Sequence, residues 1–449
     1  MRMVRIGLGV LVLTVLPLLV GSEVKSGNDG RPLLYTSAPH YDAMAWLHGG
    51  ERFPQGATLQ IKSGTKTQSL VGGFFATADP SLSFDASHML FAGKRGASDH
   101  WQIWEVAVSG GELLQLTACD DDCVRPLYLP EDRFVYAQRL QGRYVVATSD
   151  RERHGQPLTY IPGNAFPTDV LRDGRILFEA GQPLGSADSS EIYTVYSDGS
   201  GVEAYRCDHN DLRHSARQLA SGDIVFAKEG GLGRFTSARA QEVTVTGVKG
   251  EFAGEVVEDG EGGWIVSRRE GPGGPFELQR MKDGGASAET LVVLNGMDVV
   301  QPQLVAARAT PNRHPSGLHD WEGANLLCLN AYTSKFKIPA GSISSVRLYS
   351  RSSRGEPVLL GSAAVETDGS FFLHVPAGQP LQIELLDHAG ATLQREHGWF
   401  WMRRGEQREC VGCHAGPERA PENAVPAVLL RSTEPADMTR GAAKQQGVQ

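Results

Sequence analysis

The chain has 449 residues, with 43 Lys and Arg against 52 Asp and Glu for a net charge of −9. An acidic balance with scattered basic residues argues against nucleic acid as a partner, and the length predicts two domains. With 53 Gly and 24 Pro, the composition suits a turn-rich all-β architecture.

The chain opens on the basic stretch Met1-Arg2-Met3-Val4-Arg5. Ile6 to Val20 is then apolar except for Gly7, Gly9, Thr14 and Pro17, and Val20-Gly21-Ser22 supplies small residues. That order is the order of a secretory leader, so residues 1–22 are expected to be a signal peptide and the mature chain periplasmic or secreted. No later segment is apolar enough to predict a membrane span. Losing the leader removes Arg2 and Arg5 and moves the net charge to about −11.

From residue 30 to 310 the pattern repeats. The apolar triplets Met89-Leu90-Phe91, Phe134-Val135-Tyr136, Ile176-Leu177-Phe178, Ile224-Val225-Phe226 and Trp264-Ile265-Val266 recur at steps of 40 to 48 residues. Turns such as Asp173-Gly174 and Ser221-Gly222-Asp223 precede two of them. Short strands at that period are the spacing of propeller blades, and about six blades fit. One step back, Met44-Ala45-Trp46 is expected to be a first blade, and Val299 to Ala306 to close the ring on N-terminal strands. The unit around Phe84-Asp85 and Leu116-Thr117 resembles the TolB-type propeller repeat.

Residues 311–322 are polar, with no periodicity, and predict a linker. Over 323–426 a second β-rich domain is expected. Ser345-Val346-Arg347-Leu348-Tyr349 alternates like a half-buried strand, and Asp368-Gly369-Ser370 turns into the strand Phe371 to Val375. Strands of this length joined by Gly and Pro turns predict a small sandwich. Residues 427–449 are expected to be a disordered tail.

That second domain carries Cys410-Val411-Gly412-Cys413-His414, the C-x-x-C-H signature of c-type haem. Two thiols one helical turn apart add to the two haem vinyl groups, and the adjacent imidazole ligates the iron. A four-ligand zinc site usually needs a second Cys or His pair, and no Cys or His follows His414. Cys410, Cys413 and His414 are therefore the expected attachment and axial residues of one covalent haem c. Met402 or His397 is a possible second axial ligand; the bland alternative is a core Met402 and a surface His397. Trp399, Phe400 and Trp401 are expected to pack on the porphyrin or in the sandwich core.

Asp368-Gly369-Ser370-Phe371, Val375-Pro376-Ala377, Leu385-Leu386-Asp387, Gly405-Glu406, Arg408 and the C-x-x-C-H run together resemble the middle domain of hydrazine synthase alpha subunits. The resemblance covers about residues 340 to 426 and implies a propeller feeding a haem c domain, with the haem near the interface of the two. The family carries a second haem motif in a further domain, whereas this sequence holds one. In the family a Tyr just after the motif ligates the active-site haem and frees the motif His for zinc. No Tyr follows Cys413 here, so His414 stays the expected axial ligand.

Elsewhere, Cys207-Asp208-His209 with His214 places metal-ligand types on one connection, and a zinc site there competes with a plain capped turn. Cys119 and Cys123 bracket Asp120-Asp121-Asp122, which fits a short-loop disulfide, a calcium site or an ordinary turn. Cys328 reads as a core thiol, and His314 and His319 sit in the linker. The sequence shows no Ser nucleophile elbow, phosphate-binding Gly loop or H-E-x-x-H. The expected role is an exported c-type haem protein in electron transfer, or in redox chemistry on a small molecule where propeller and haem domain meet. A redox partner protein or small substrate is implied. The competing reading is a propeller that binds a partner protein or envelope polymer, with a structural or sensory haem.

Overall fold

The computed structural model describes residues 30–181, 189–206, 212–238, 240–245, 247–282, 285, 287–334, 337–352, 355–396, 398–412 and 423–440. Six antiparallel sheets of four or five strands form the blades of a propeller, and two further four-stranded sheets form a sandwich.

Each of the five apolar triplets lies in the second strand of a blade: His88–Lys94, Arg133–Leu140, Ile176–Gly181, Ile224–Lys228 and Gly263–Arg269. All fifteen residues are at most 5% exposed. These strands are covered on both faces by neighbouring blades, which is why they read as continuous apolar runs rather than alternating ones. The ring closes where Asp298–Leu304 pairs antiparallel with Leu33–Ala38, from Leu33 opposite Leu304 to Ala38 opposite Asp298. A first and a last strand thus share one blade, as Val299 to Ala306 predicts.

Met44-Ala45-Trp46 is not a blade strand. Ala45–His48 is a 3₁₀ turn that ends at Gly49 in the left-handed region, φ 73°. Asp42 Oδ1 accepts the Met44 N–H at 2.9 Å, and Trp46 tucks against Phe166, ring centroids 5.3 Å apart. An Asx-type turn at Asp42 before it and a left-handed glycine after it favour a tight turn over a strand.

The axis-lining strands carry an irregularity. Ladder register shifts between Ala78 and Ser81, Val124 and Leu127, and His214 and Arg217. Asp79, Arg125, Ser215 and Gln301 all have φ between 52° and 57°. Three of them precede a proline: Pro80, Pro126 and Pro302. Proline inside a sheet is confined to edges and bulges, and a bulge re-aims the side chain beside it. Here the bulges turn polar side chains into the propeller centre.

In the sandwich, one sheet runs Gln407–Cys410, Ala324–Cys328, Phe371–Val375, Ala436–Asp437, and the other Pro357–Ala364, Ser345–Arg351, Leu381–Leu386, Thr392–Arg395. The inward residues Leu326, Val346, Leu348, Phe371, Leu373, Val375, Leu385 and Met402 build its core. Residues 427–440 correct the expectation of a disordered tail. Asp368 and Ser370 side chains accept the Ala427 and Val428 N–H groups at 2.7 and 3.0 Å, starting the short helix Ala427–Arg431. Ala436–Asp437 then adds a parallel strand to Phe371–Val375, and Met438 enters the core at 1% exposure. A polar composition hid one buried methionine at the end of a capped turn.

The linker lies along the propeller. Arg308 and Asn312 donate backbone N–H groups to Phe84 and Arg172 carbonyls at 2.8 Å each, and the His314 ring stacks on Tyr196 at 3.6 Å. Among the described residues no helix is long and apolar enough to cross a membrane.

Candidate functional site

Three places gather chemistry-bearing side chains. The first is the strand Gln407–Cys410. It runs parallel to Ala324–Cys328, with Leu326 opposite Arg408 and Cys328 opposite Cys410. Register partners in a parallel pair point to the same face, so Arg408 and Cys410 stand in one row beside Leu326 and Cys328, facing the core. Cys410 is half-buried, packs against the core that holds Met402, and is not in a disulfide. Its carbonyl accepts the Leu329 N–H at 2.9 Å. Burial pushes the Cys410 thiol up, against the opposing pull of Arg408, so the group rests as a thiol. Gly412 lies against the backbone carbonyls of Thr333 and Asn330, where a Cβ would collide with main chain. The turn after Cys410 is therefore held against the 330–333 loop, and that close approach requires glycine.

The other end of this strand is docked on the propeller. Glu406 is 4% exposed; one oxygen accepts the Gly201 N–H of the fourth blade at 3.1 Å, the other the Arg403 N–H at 2.7 Å. Arg408 caps the same carboxylate at 2.6 Å. Arg403 donates to Pro157 O at 3.0 Å and Tyr160 Oη at 2.6 Å. Trp401 is fully buried among residues of the third and fourth blades, including Leu158, Val170 and Phe178, and its Nε1 donates to Leu158 O at 3.0 Å. This corrects the expected packing of Trp401 in the sandwich core or on a porphyrin. Successive residues of an extended segment face opposite ways, so Trp401 anchors the propeller while Met402 fills the sandwich. Gly405, at φ 75°, meets the His319 backbone, and His319 stacks on Trp321 at 4.5 Å. From Glu406 to Cys410 is roughly 13 Å of strand.

Of the other expected haem residues, Met402 is 0% exposed in the sandwich core, a packing position. Cys413, His414 and His397 lie outside the described residues, as do Cys207 and His209.

The second place is the propeller axis. Arg52 pairs with both oxygens of Asp79 at 2.7 Å. Asp79 Oδ2 also accepts the Arg125 N–H at 2.9 Å, and Gln301 Oε1 takes the Asp79 N–H at 2.9 Å and the Thr36 hydroxyl at 2.8 Å. Arg125 pairs with Glu179, which accepts the Ser215 N–H at 2.6 Å. Burial alone would raise the Asp79 carboxyl, but the Arg52 and Arg125 partners hold it below the usual carboxylate range. His214 is buried beside this network, its Nδ1 3.2 Å from the Ser215 hydroxyl, and burial pushes its imidazole down. Asp79 lines two cavities of about 30 Å³ each, one toward Trp46, Trp101 and Tyr144, the other toward Arg217, Glu255 and Gln303. Each has room for a water or two. The ion-paired Asp79 borders both. Sequence reading missed this cluster, although the repeated polar-Pro dipeptides at 125–126 and 301–302, with Asp79-Pro80, were its visible signal.

The third place is the Cys119–Cys123 loop, where the disulfide is formed. His100 Nδ1 lies 3.5 Å from both Asp121 and Asp122 carboxylates, and their ligand atoms converge within 4.8 Å. A histidine with two carboxylates suits a transition metal better than calcium. Asp122 already accepts the Trp101 N–H at 3.0 Å and the Tyr144 hydroxyl at 3.2 Å, so much of its capacity serves the fold.

With the geometry in place, comparison adds a relation. Residues 338–415 match the family model of the hydrazine synthase alpha subunit middle domain. Hydrazine synthase of Kuenenia stuttgartiensis superimposes with a TM-score of 0.78 at 17% identity, over 89% of this chain and 71% of that one. TolB of Acinetobacter baumannii matches at 14% identity over 62% of this chain and 67% of that one, with a TM-score of 0.47. No curated protein matches the chain by sequence. The chain resembles the hydrazine synthase alpha middle domain in sequence over the sandwich, and shares the fold of that enzyme over propeller and sandwich together.

Proposed function

We propose that this chain is an exported haem c protein, active in electron transfer or in redox chemistry on a small molecule near the meeting of sandwich and propeller. The observation that carries the reading is the C-x-x-C-H run inside the family-matched segment, with Cys410 unpaired at a strand end. The described part of the donor set fits the group: Cys410 is half-buried, held by Leu329, and followed by a glycine turn pinned to its neighbour loop. Cys410 and Cys413 would hold the haem through thioether bonds, and His414 would ligate its iron. When bound, the haem supplies one-electron chemistry.

The chain's own residues fix orientation. Glu406, Arg408 and Arg403 clamp the near end of the strand to blades three and four, which limits hinge freedom between the two domains. An exported location is supported by the leader pattern of residues 1–22 and by the Cys119–Cys123 disulfide, a bond that persists in oxidising compartments. The sequence match to the hydrazine synthase alpha subunit middle domain supports a redox partner protein as the electron source or sink.

The test is a visible spectrum, oxidised and reduced, of chain exported from cells that mature c-type haem. A covalent haem whose bands disappear in Cys410→Ala supports the reading. A colourless protein at full apo mass would sink it and leave a propeller-sandwich binding protein.

A further inference from the structure

We propose that His100, Asp121 and Asp122 form a binding site for a divalent transition metal of the zinc class, on the propeller and separate from the haem motif. His100 Nδ1 stands 3.5 Å from a carboxylate oxygen of Asp121 and 3.5 Å from one of Asp122. The three ligand atoms all lie within 4.8 Å of one another. Zinc holds nitrogen and oxygen ligands at about 2.0–2.2 Å in a tetrahedron, which puts neighbouring ligand atoms about 3.4 Å apart. The imidazole is thus one tetrahedral edge away from each carboxylate. An ordinary ion pair has no reason for that spacing, because a charged N–H closes to hydrogen-bond distance on a single acid. His154 does so on Asp150, at 3.0 Å. His100 instead stands equally far from two acids.

Local structure sets the three residues in place before any ion arrives. The Cys119–Cys123 disulfide closes the loop that carries both acids. Cys123 donates its N–H to the Trp101 carbonyl at 2.8 Å, and Asp122 Oδ1 accepts the Trp101 N–H at 3.0 Å. Those two bonds keep His100 beside the loop. Gln102 ties the start of the loop, donating to Cys119 O at 3.0 Å and accepting the Cys119 N–H at 2.8 Å. The other Asp122 oxygen takes the Tyr144 hydroxyl at 3.2 Å. Such hydrogen bonds orient a ligating carboxylate, and each oxygen keeps a second lone pair for a metal.

A neutral imidazole and two carboxylates carry two negative charges, which a divalent ion cancels. Arg139 competes, with Nη1 3.8 Å from Asp121 Oδ1, but a long, exposed pair is weak. The histidine nitrogen favours zinc-class ions over calcium, which takes oxygen ligands. Three protein ligands leave a fourth position for water or a small anion. Asp122 also borders the cavity toward Trp46. There the Trp46 indole N–H, in a residue 3% exposed, meets no acceptor among the described residues. That buried donor suits a small acceptor, such as the water or anion a metal brings with it.

The experiment titrates full-length chain, stripped with EDTA, with Zn²⁺ alone and counts bound equivalents by equilibrium dialysis. The wild-type chain should bind one more equivalent than His100→Ala or Asp121→Asn. Both side chains reach solvent, so both variants should unfold in EDTA at the wild-type midpoint, and Zn²⁺ should raise that midpoint further in wild type. Equal equivalents in wild type and variants overturn the proposal, since any zinc is then held elsewhere. Cys410→Ala should keep the equivalent that His100→Ala loses; its loss there would put the metal at the haem motif and overturn the proposal as well. Ca²⁺ that displaces Zn²⁺ at equal concentration overturns the metal class.

Discussion

The propeller axis and the Cys410 strand end are built on opposite logics. At the axis, Asp79, Arg52, Arg125, Glu179 and Gln301 are buried and meet one another's charges and hydrogen-bonding groups. At the strand end, Cys410 is half-buried, unpaired, and aligned with a second thiol. A dense cluster of buried charge is the usual flag for an active site, yet here its groups pair with one another, while Cys410 sits at a rim. Satisfied charges hold a fold in place; a thiol at a rim, as Cys410 is, remains within reach of chemistry.

The sharpest way to break that contrast is Asp79→Ala. It strands Arg52 without its partner and should cost about 3–5 kcal/mol in denaturant unfolding. A loss below about 1 kcal/mol would mean that the axis is not structural. Next in size, Trp401→Ala empties a fully buried site between blades and sandwich, at about 3 kcal/mol. Calorimetry should show the sandwich melting separately from the propeller; one unchanged transition would show that Glu406 and Arg403 suffice to dock it. Cys119→Ser with Cys123→Ser removes a short loop closure and should cost roughly 2 kcal/mol, read as a lower denaturation midpoint.

The smallest effect is a pH slope. Burial lowers the His214 pKa below its ordinary 6.5, so the unfolded chain binds a proton that the folded chain refuses. Stability is then complete above the unfolded pKa and falls with acid below it, by about 1 kcal/mol per pH unit. His214→Gln should flatten the curve just below the ordinary histidine value of 6.5. The Asp79 contribution has a lower window: its carboxyl is held below 3.8, so that stability is present above the unfolded value and lost as pH falls through the folded one. A His214→Gln curve that keeps its slope near pH 6 would assign that slope to another group.

The propeller was legible because five blades place one doubly buried strand apiece at a regular step, and burial on both faces leaves a continuous apolar triplet. Blade one broke the count. Its strand Leu33–Ala38 borrows a partner from residues 298–304, and the next apolar cluster, around Trp46, forms a 3₁₀ turn packed on Phe166. The sandwich strand Ser345–Arg351 was legible because one face is wet, as its alternating burial confirms. The short strand Ala436–Asp437 was not: two residues carry no period, and its place depends on the partner Phe371–Val375. Among site residues, the C-x-x-C-H run is visible in the sequence because the chemistry proposed for it needs contiguous spacing; of its donors the structure describes only Cys410.

The sequence by itself determined the all-β class, the blade period, the alternating sandwich strands and the C-x-x-C-H run on which the proposed haem rests, all set by local spacing along the chain. Only the tertiary structure decided that Asp79 meets Gln301, that Trp401 belongs to the propeller and Met402 to the sandwich, and that Cys328 stands beside Cys410. Those partners lie far apart in sequence, and what joins them is blade closure and strand register, which no local pattern encodes.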